Sequence, residues 1–169
     1  MSPQIAFAVS LGLLGALATV LFQWLGLLLW AGFIAWAAFF AAGGDNAALR
    51  KTIAGNIFGA FLAWVALLII SSVSVEGWLW LPRNGLVIGV TVLVLGLAAR
   101  IELLSHVPAS VYGYAATFAA FTVPKRDVAG SPLTGFHLSN PFVAVAVSMV
   151  VGALFGLACG KLAGALKRP

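Results

Sequence analysis

Four stretches of this chain, Ile5 to Leu29, Thr52 to Val75, Leu86 to Leu104 and Phe142 to Ala163, run almost without interruption through apolar residues. Each meets or approaches the roughly 20 residues that a helix needs to cross a hydrocarbon core ~30 Å thick. In lipid the backbone must satisfy its own hydrogen bonds, and a continuous apolar run does so as a helix. The remainder of the chain gives no reason to look for a soluble domain. Of 169 residues, 63% are hydrophobic and 8% are charged, whereas a soluble domain carries about a quarter charged residues. The expectation is therefore an all-α, polytopic transmembrane bundle, a single domain over residues 1–169.

Two further apolar segments, Trp30 to Ala42 and Val107 to Val123, are shorter. At ~1.5 Å per residue they reach about 20 to 25 Å, which leaves two possibilities, short crossings or re-entrant half-helices. With them the bundle has about six segments. Asp45 and Asn46 stand where the third helix needs a cap, Asn84 before the fourth, Ser105 before the fifth, and Ser139 and Asn140 before Pro141 and the last. The stretch from Thr122 to Asn140 holds Pro124, Pro132, Gly130 and Gly135 beside Lys125, Arg126 and Asp127, a composition for an ordered loop or lid. The start lacks the basic stretch of a signal peptide, and the apolar run continues past Ala16, Leu17 and Ala18, so the first helix is expected to be retained.

The net charge of +5 comes from nine Lys and Arg against four Asp and Glu. The basic residues sit at the ends of apolar runs, which fits lipid headgroups and excludes a nucleic-acid footprint. With six crossings, Arg50, Lys51, Arg100, Lys161, Lys167 and Arg168 fall on one side and Arg83, Lys125 and Arg126 on the other. The positive-inside rule then places both termini in the cytoplasm. Cys159 is the only cysteine and lies within an apolar run, which leaves no internal disulfide and reads as a packing residue.

The chain also resembles itself. Residues 29–42 align with residues 107–120, setting Trp36 against Tyr114 and Phe40 against Phe118. In the helix that follows, Gly55, Gly59 and Ala63 align with Ser148, Gly152 and Gly156. Two repeats of three helices, about residues 3–75 and 84–166, are expected. An odd number of crossings per half inverts the second half, the arrangement in which transport proteins place a central site between repeats.

Glycines recur at four-residue spacing: Gly55 with Gly59, Gly85 with Gly89, and Gly152, Gly156 and Gly160. Small residues so placed let helices approach closely within the bundle or between protomers, and a homo-oligomer is expected. No helix interior holds Asp, Glu, Lys or Arg well away from its ends, which disfavours proton-coupled transport. There is no paired carboxylate, metal-ligand cluster or nucleophilic triad, so neither an enzyme nor a metal or other cofactor is expected. Glu102 and His106 lie one turn apart if a helix runs that far, as a possible pH gate or as a headgroup-level ion pair. Trp78 and Trp80 suit the aromatic belt at the membrane surface. Trp30, Trp36 and Phe40 of the first short segment, with Ser110, Tyr112, Tyr114, Thr117 and Phe118 of the second, could line a passage for a small neutral solute; the alternative is that they are core or lipid-facing aromatics.

The stretch Val107-Pro108-Ala109-Ser110-Val111-Tyr112-Gly113-Tyr114-Ala115-Ala116-Thr117-Phe118, with Leu29-Trp30-Ala31-Gly32-Phe33 and the overall length, resembles a small bacterial inner-membrane family, domain of unknown function 1097. The resemblance implies the inner membrane and no assigned reaction, and the loop from Thr122 to Asn140 looks like an extension relative to its typical members. Together these features lead to an expected channel or facilitator for a small neutral or weakly charged solute. The alternatives are a non-transporting subunit packed against partner helices and an ion channel.

Overall fold

The computed structural model describes residues 1–73, 79–122 and 133–167, and there it is helical, with no strand. Its helices are α1 (Pro3–Leu25), α2 (Leu29–Ala41), α3 (Asn46–Ser72), α4 (Trp80–Ala98), α5 (Val107–Thr122) and α6 (Pro141–Leu166), with a 3₁₀ turn at Glu102–Leu104 between α4 and α5. α1, α3, α4 and α6 have 23, 27, 19 and 26 residues and are long and apolar enough to cross a membrane. α2 and α5, with 13 and 16 residues, are the short segments expected from the sequence.

Local chemistry sets the boundaries. α1 stops because Gly26 takes φ 67°, a left-handed conformation in which a residue without Cβ is unstrained. Asp45 caps α3 by accepting a hydrogen bond from the Ala48 amide, and Asn140 caps α6 through the Phe142 amide with Pro141 in the first turn. Two expected caps differ. α4 begins at Trp80 rather than after Asn84, whose side chain instead accepts from Arg83. Ser105 donates to the Glu102 carbonyl within the 3₁₀ turn instead of capping α5. The apolar run Leu86 to Leu104 likewise ends as a helix at Ala98, because Arg100 and Glu102 carry the chain out to an exposed turn.

Although short, α2 does not turn back on itself. It leaves the end of α1 and finishes beside its beginning, with the Phe40 and Phe7 rings 5.2 Å apart. α3 and α6 run antiparallel, since Trp64, late in α3, stacks at 5.7 Å on Phe142 at the start of α6. Among the described residues, Arg50, Lys51, Arg100, Lys161 and Lys167 are thereby gathered at one end of the bundle and Arg83 at the other. Arg168, Lys125 and Arg126 lie outside the described residues, as do Trp78 and most of the expected lid.

The core is built from small side chains. Ala31 and Ala35 of α2, Ala60 of α3, Ala116 and Ala120 of α5, and Val145, Met149 and Ala153 of α6 form its central cluster. Two flanking clusters lie outside it. Ala18 and Phe22 of α1 join Trp36 and Cys159, while Leu95 of α4 joins Leu62, Ala63 and Tyr114. α1 and α4 therefore cover opposite flanks, and most of their remaining surface is exposed apolar side chain suited to lipid.

Candidate functional site

Two helix pairs meet at backbone distance. In the first, α3 lies on α5: a methyl built on Gly59 would overlap the Ser110 carbonyl, and one on Gly113 the Asn56 carbonyl. One turn earlier, a methyl on Gly55 would come within 2.9 Å of the Ala109 Cβ. In the second pair α2 lies on α6, where a methyl on Gly152 would overlap the Gly32 carbonyl and one on Gly156 would come within 3.1 Å of the Trp36 ring. Here the Leu28 amide donates to the Ser148 hydroxyl at 2.9 Å. Contacts advance together along both members of each pair, so each pair is parallel. Since α3 and α6 oppose one another, the two pairs point in opposite directions.

The register of these contacts follows the internal alignment. Gly59 aligns with Gly152 and Ser110 with Gly32, and Gly59 meets Ser110 as Gly152 meets Gly32. Ala63 shares a cluster with Tyr114, and the aligned Gly156 touches Trp36.

Within this framework the polar groups are few. Thr117 is buried and donates to the Gly113 carbonyl at 2.9 Å. Ser110 is buried against Gly55. Thr52 and Asn56 differ from both: each is 0% exposed, and the Thr52 hydroxyl and both polar atoms of the Asn56 carboxamide have no hydrogen-bond partner. With Ala60, a member of the central cluster, they stand at four-residue spacing and so share one face of α3. An unpaired amide in apolar surroundings costs about 1 to 3 kcal/mol. The positions aligned with Thr52 and Asn56 in α6 hold Val145 and Met149, both fully buried and apolar. Packing at such a position therefore does not require a polar side chain.

The aromatic residues expected from the sequence do not converge on one passage. Trp36 belongs to the flank covered by α1 and Tyr114 to the flank covered by α4. Tyr114 is held by a hydrogen bond of 2.8 Å to Thr91 and Phe118 packs beside it. Trp30 and Tyr112 are exposed, and Phe40 packs edge-on against Phe7 and Phe39. An apolar groove of about 400 Å³ lies between α1 and α2, lined by Gly12, Gly15, Phe33 and Trp36 among others. Glu102 is exposed in the 3₁₀ turn and His106 precedes α5; the described residues include no ion pair between them, and the His106 Nε2 is buried without a partner. A second cavity of about 410 Å³ opens at the same end of the bundle between Ala47, Arg50 and Lys51 of α3 and residues 101–103.

Of the glycines, Gly55, Gly59, Gly152 and Gly156 make the close contacts expected of them, and Gly160 meets the Phe40 ring at an ordinary 3.9 Å. Gly85 and Gly89 have nothing within 4 Å and face outward from α4. Thr52 and Asn56 were missing from the residues singled out by sequence, although two polar residues four apart at the head of an apolar run were the signal for them.

No curated protein and no solved structure matches the chain. A family model described as "Protein of unknown function (DUF1097)" matches residues 8–164. With that match covering nearly its whole length, this helical membrane protein belongs to the DUF1097 family.

Proposed function

We propose that the protein is a passive channel or facilitator for a small neutral solute, not an enzyme, and that solute passes between its two halves near Thr52 and Asn56. The observation that carries this reading is the pair of fully buried polar side chains with no partner among the protein's own groups. A bundle gains nothing from leaving a carboxamide unpaired, whereas a site that must hold and release a polar solute needs free donors and acceptors in a dry setting. The exchange of contacts between Gly59 with Ser110 and Gly152 with Gly32 supports an inverted duplication with a two-fold axis in the membrane plane. In such proteins the solute site lies between the repeats. The end carrying Arg50, Lys51, Arg100, Lys161 and Lys167 faces the cytoplasm of a bacterial inner membrane by the positive-inside rule, with both termini there.

The test is stopped-flow light scattering on proteoliposomes challenged with small neutral solutes. Entry of at least one solute faster than into empty liposomes supports the reading. Purified, monodisperse protein that accelerates none of them overturns it.

A second reading has its own observation. Gly85 and Gly89 lie open on α4, the helix least buried in the bundle, and such a face suits a partner helix. A non-transporting subunit, or a homo-oligomer joined through α4, would use it. Co-purification with a stoichiometric partner and no flux from the protein alone would favour the subunit.

A further inference from the structure

We infer that the Asn56 carboxamide selects solutes of the amide class, such as urea and short carboxamides, over polyols of similar size. This inference deepens the facilitator reading and rests on it. A carboxamide presents one acceptor and one donor side by side in a plane. A second planar amide is the complement of that pattern, its N–H meeting Oδ1 while its carbonyl oxygen receives the Nδ2 hydrogen. A single hydroxyl must serve both groups through one oxygen, which bends both bonds, and a polyol must fix a C–C torsion to present two hydroxyls side by side. Either matches the planar carboxamide less well than a second amide does. Both atoms of Asn56 lack a partner among the protein's own groups, and the residue is fully buried, so the pattern is complete and shielded from bulk solvent.

Charge argues in the same direction. Among the described residues the charged side chains sit at or near the helix ends, and none shares the Thr52, Asn56 and Ala60 face. A cation or carboxylate at Asn56 would lack a counter-charge and meet the full cost of entering an apolar interior, whereas a neutral amide would not. Thr52 supplies a hydroxyl one turn closer to the end of α3 at which Arg50 and Lys51 border the open cavity. A solute arriving from that end would meet a single hydroxyl first and the paired donor and acceptor second. Beyond Asn56 the same face continues as Ala60 within the apolar central cluster, which makes Asn56 the innermost polar position on it. The aligned Met149 in the other half offers no such pattern, so one amide is bound at a time.

The test compares urea, acetamide and glycerol entry into proteoliposomes carrying the native chain, Asn56→Leu or Asn56→Ser, each corrected for empty liposomes. Leucine removes both hydrogen-bonding atoms, and serine keeps polarity without the paired pattern. The native protein is expected to accelerate urea and acetamide more than glycerol. Both variants are expected to lower the amide-to-glycerol ratio about tenfold, the equivalent of losing two neutral hydrogen bonds. If either variant fails to elute as the native protein does, the other decides. Equal acceleration of all three solutes, with a ratio unchanged by substitution, overturns amide selection and leaves the facilitator reading standing. If the native protein accelerates no solute, the facilitator reading itself falls and amide selection falls with it.

Discussion

The hydroxyl of Thr91 on α4 and the phenolic oxygen of Tyr114 on α5 lie 2.8 Å apart in the buried flank of the bundle. Apart from Leu95, Thr91 is the only residue of α4 that is buried, so this hydrogen bond is a principal polar tie between that helix and the rest. Hydrogen bonds between membrane helices contribute on average about 0.6 kcal/mol and at most about 1.7. Thr91→Val and Tyr114→Phe should each lower stability by that order, and the double variant should lose little more than either alone. Unfolding of the four proteins in mixed detergent micelles measures the coupling; fully additive losses would mean that the two hydroxyls do not depend on each other.

The glycines divide into two classes that substitution can separate. Gly59 and Gly152 meet backbone carbonyls of the facing helix, where an added methyl has no room and the obstacle cannot rotate away. Alanine at either position should cost about 3 kcal/mol, the upper part of the range for overpacking, and should reduce the yield of monodisperse protein. Gly89, with nothing within 4 Å, should accept alanine with no loss and gain up to about 1 kcal/mol from helix propensity. If Gly89→Ala instead shifts the elution volume of the native particle, the open face of α4 is an interface between copies.

At the start of α2 the first free amides need acceptors, and Leu28 finds one in Ser148 of α6. Ser148→Ala should leave that amide unpaired inside the bundle at a cost of about 1 to 3 kcal/mol. Amide hydrogen exchange provides the local readout: Leu28 should lose protection, while the Ala48 amide, which has its own cap in Asp45, should not. Unchanged protection at Leu28 would show that another acceptor takes over.

Much of this architecture was legible because lipid imposes simple rules. Run length located α1 and α6 to within four residues but began α3 at Thr52, six residues late, because Arg50 and Lys51 interrupt the apolar run inside its first turns; Asp45 and Asn140 marked two starts correctly. The start of α4 was less legible, since Asn84 is as good a cap in sequence as Asp45, yet its carbonyl oxygen is taken by the neighbouring Arg83. Even the short helices were visible as short apolar segments. What sequence could not show was which faces meet. Trp36 and Tyr114 align in the two halves, and alignment alone allows them to face one another, but a two-fold relation equally places them on opposite flanks, where the structure has them. Charged residues draw the eye first in a membrane chain; Thr52 and Asn56, neutral and set among alanine and glycine, become conspicuous only when their missing partners are counted.

Stability and transport should therefore pull in opposite directions at Asn56. The residue is fully buried and neither of its polar atoms is paired, so the resting bundle bears a desolvation cost that an apolar side chain of similar size would remove. Met149 already occupies the aligned position in α6 with full burial. Asn56→Leu should accordingly raise stability by about 1 to 3 kcal/mol while lowering solute flux, and unfolding in detergent beside flux in proteoliposomes measures both in one preparation. The sign of the stability change separates two cases. A gain means that the carboxamide is free at rest, as a site awaiting solute requires. A loss means that the amide is already satisfied by water held in the bundle, and the polar pair would then stabilise the fold rather than wait for a solute.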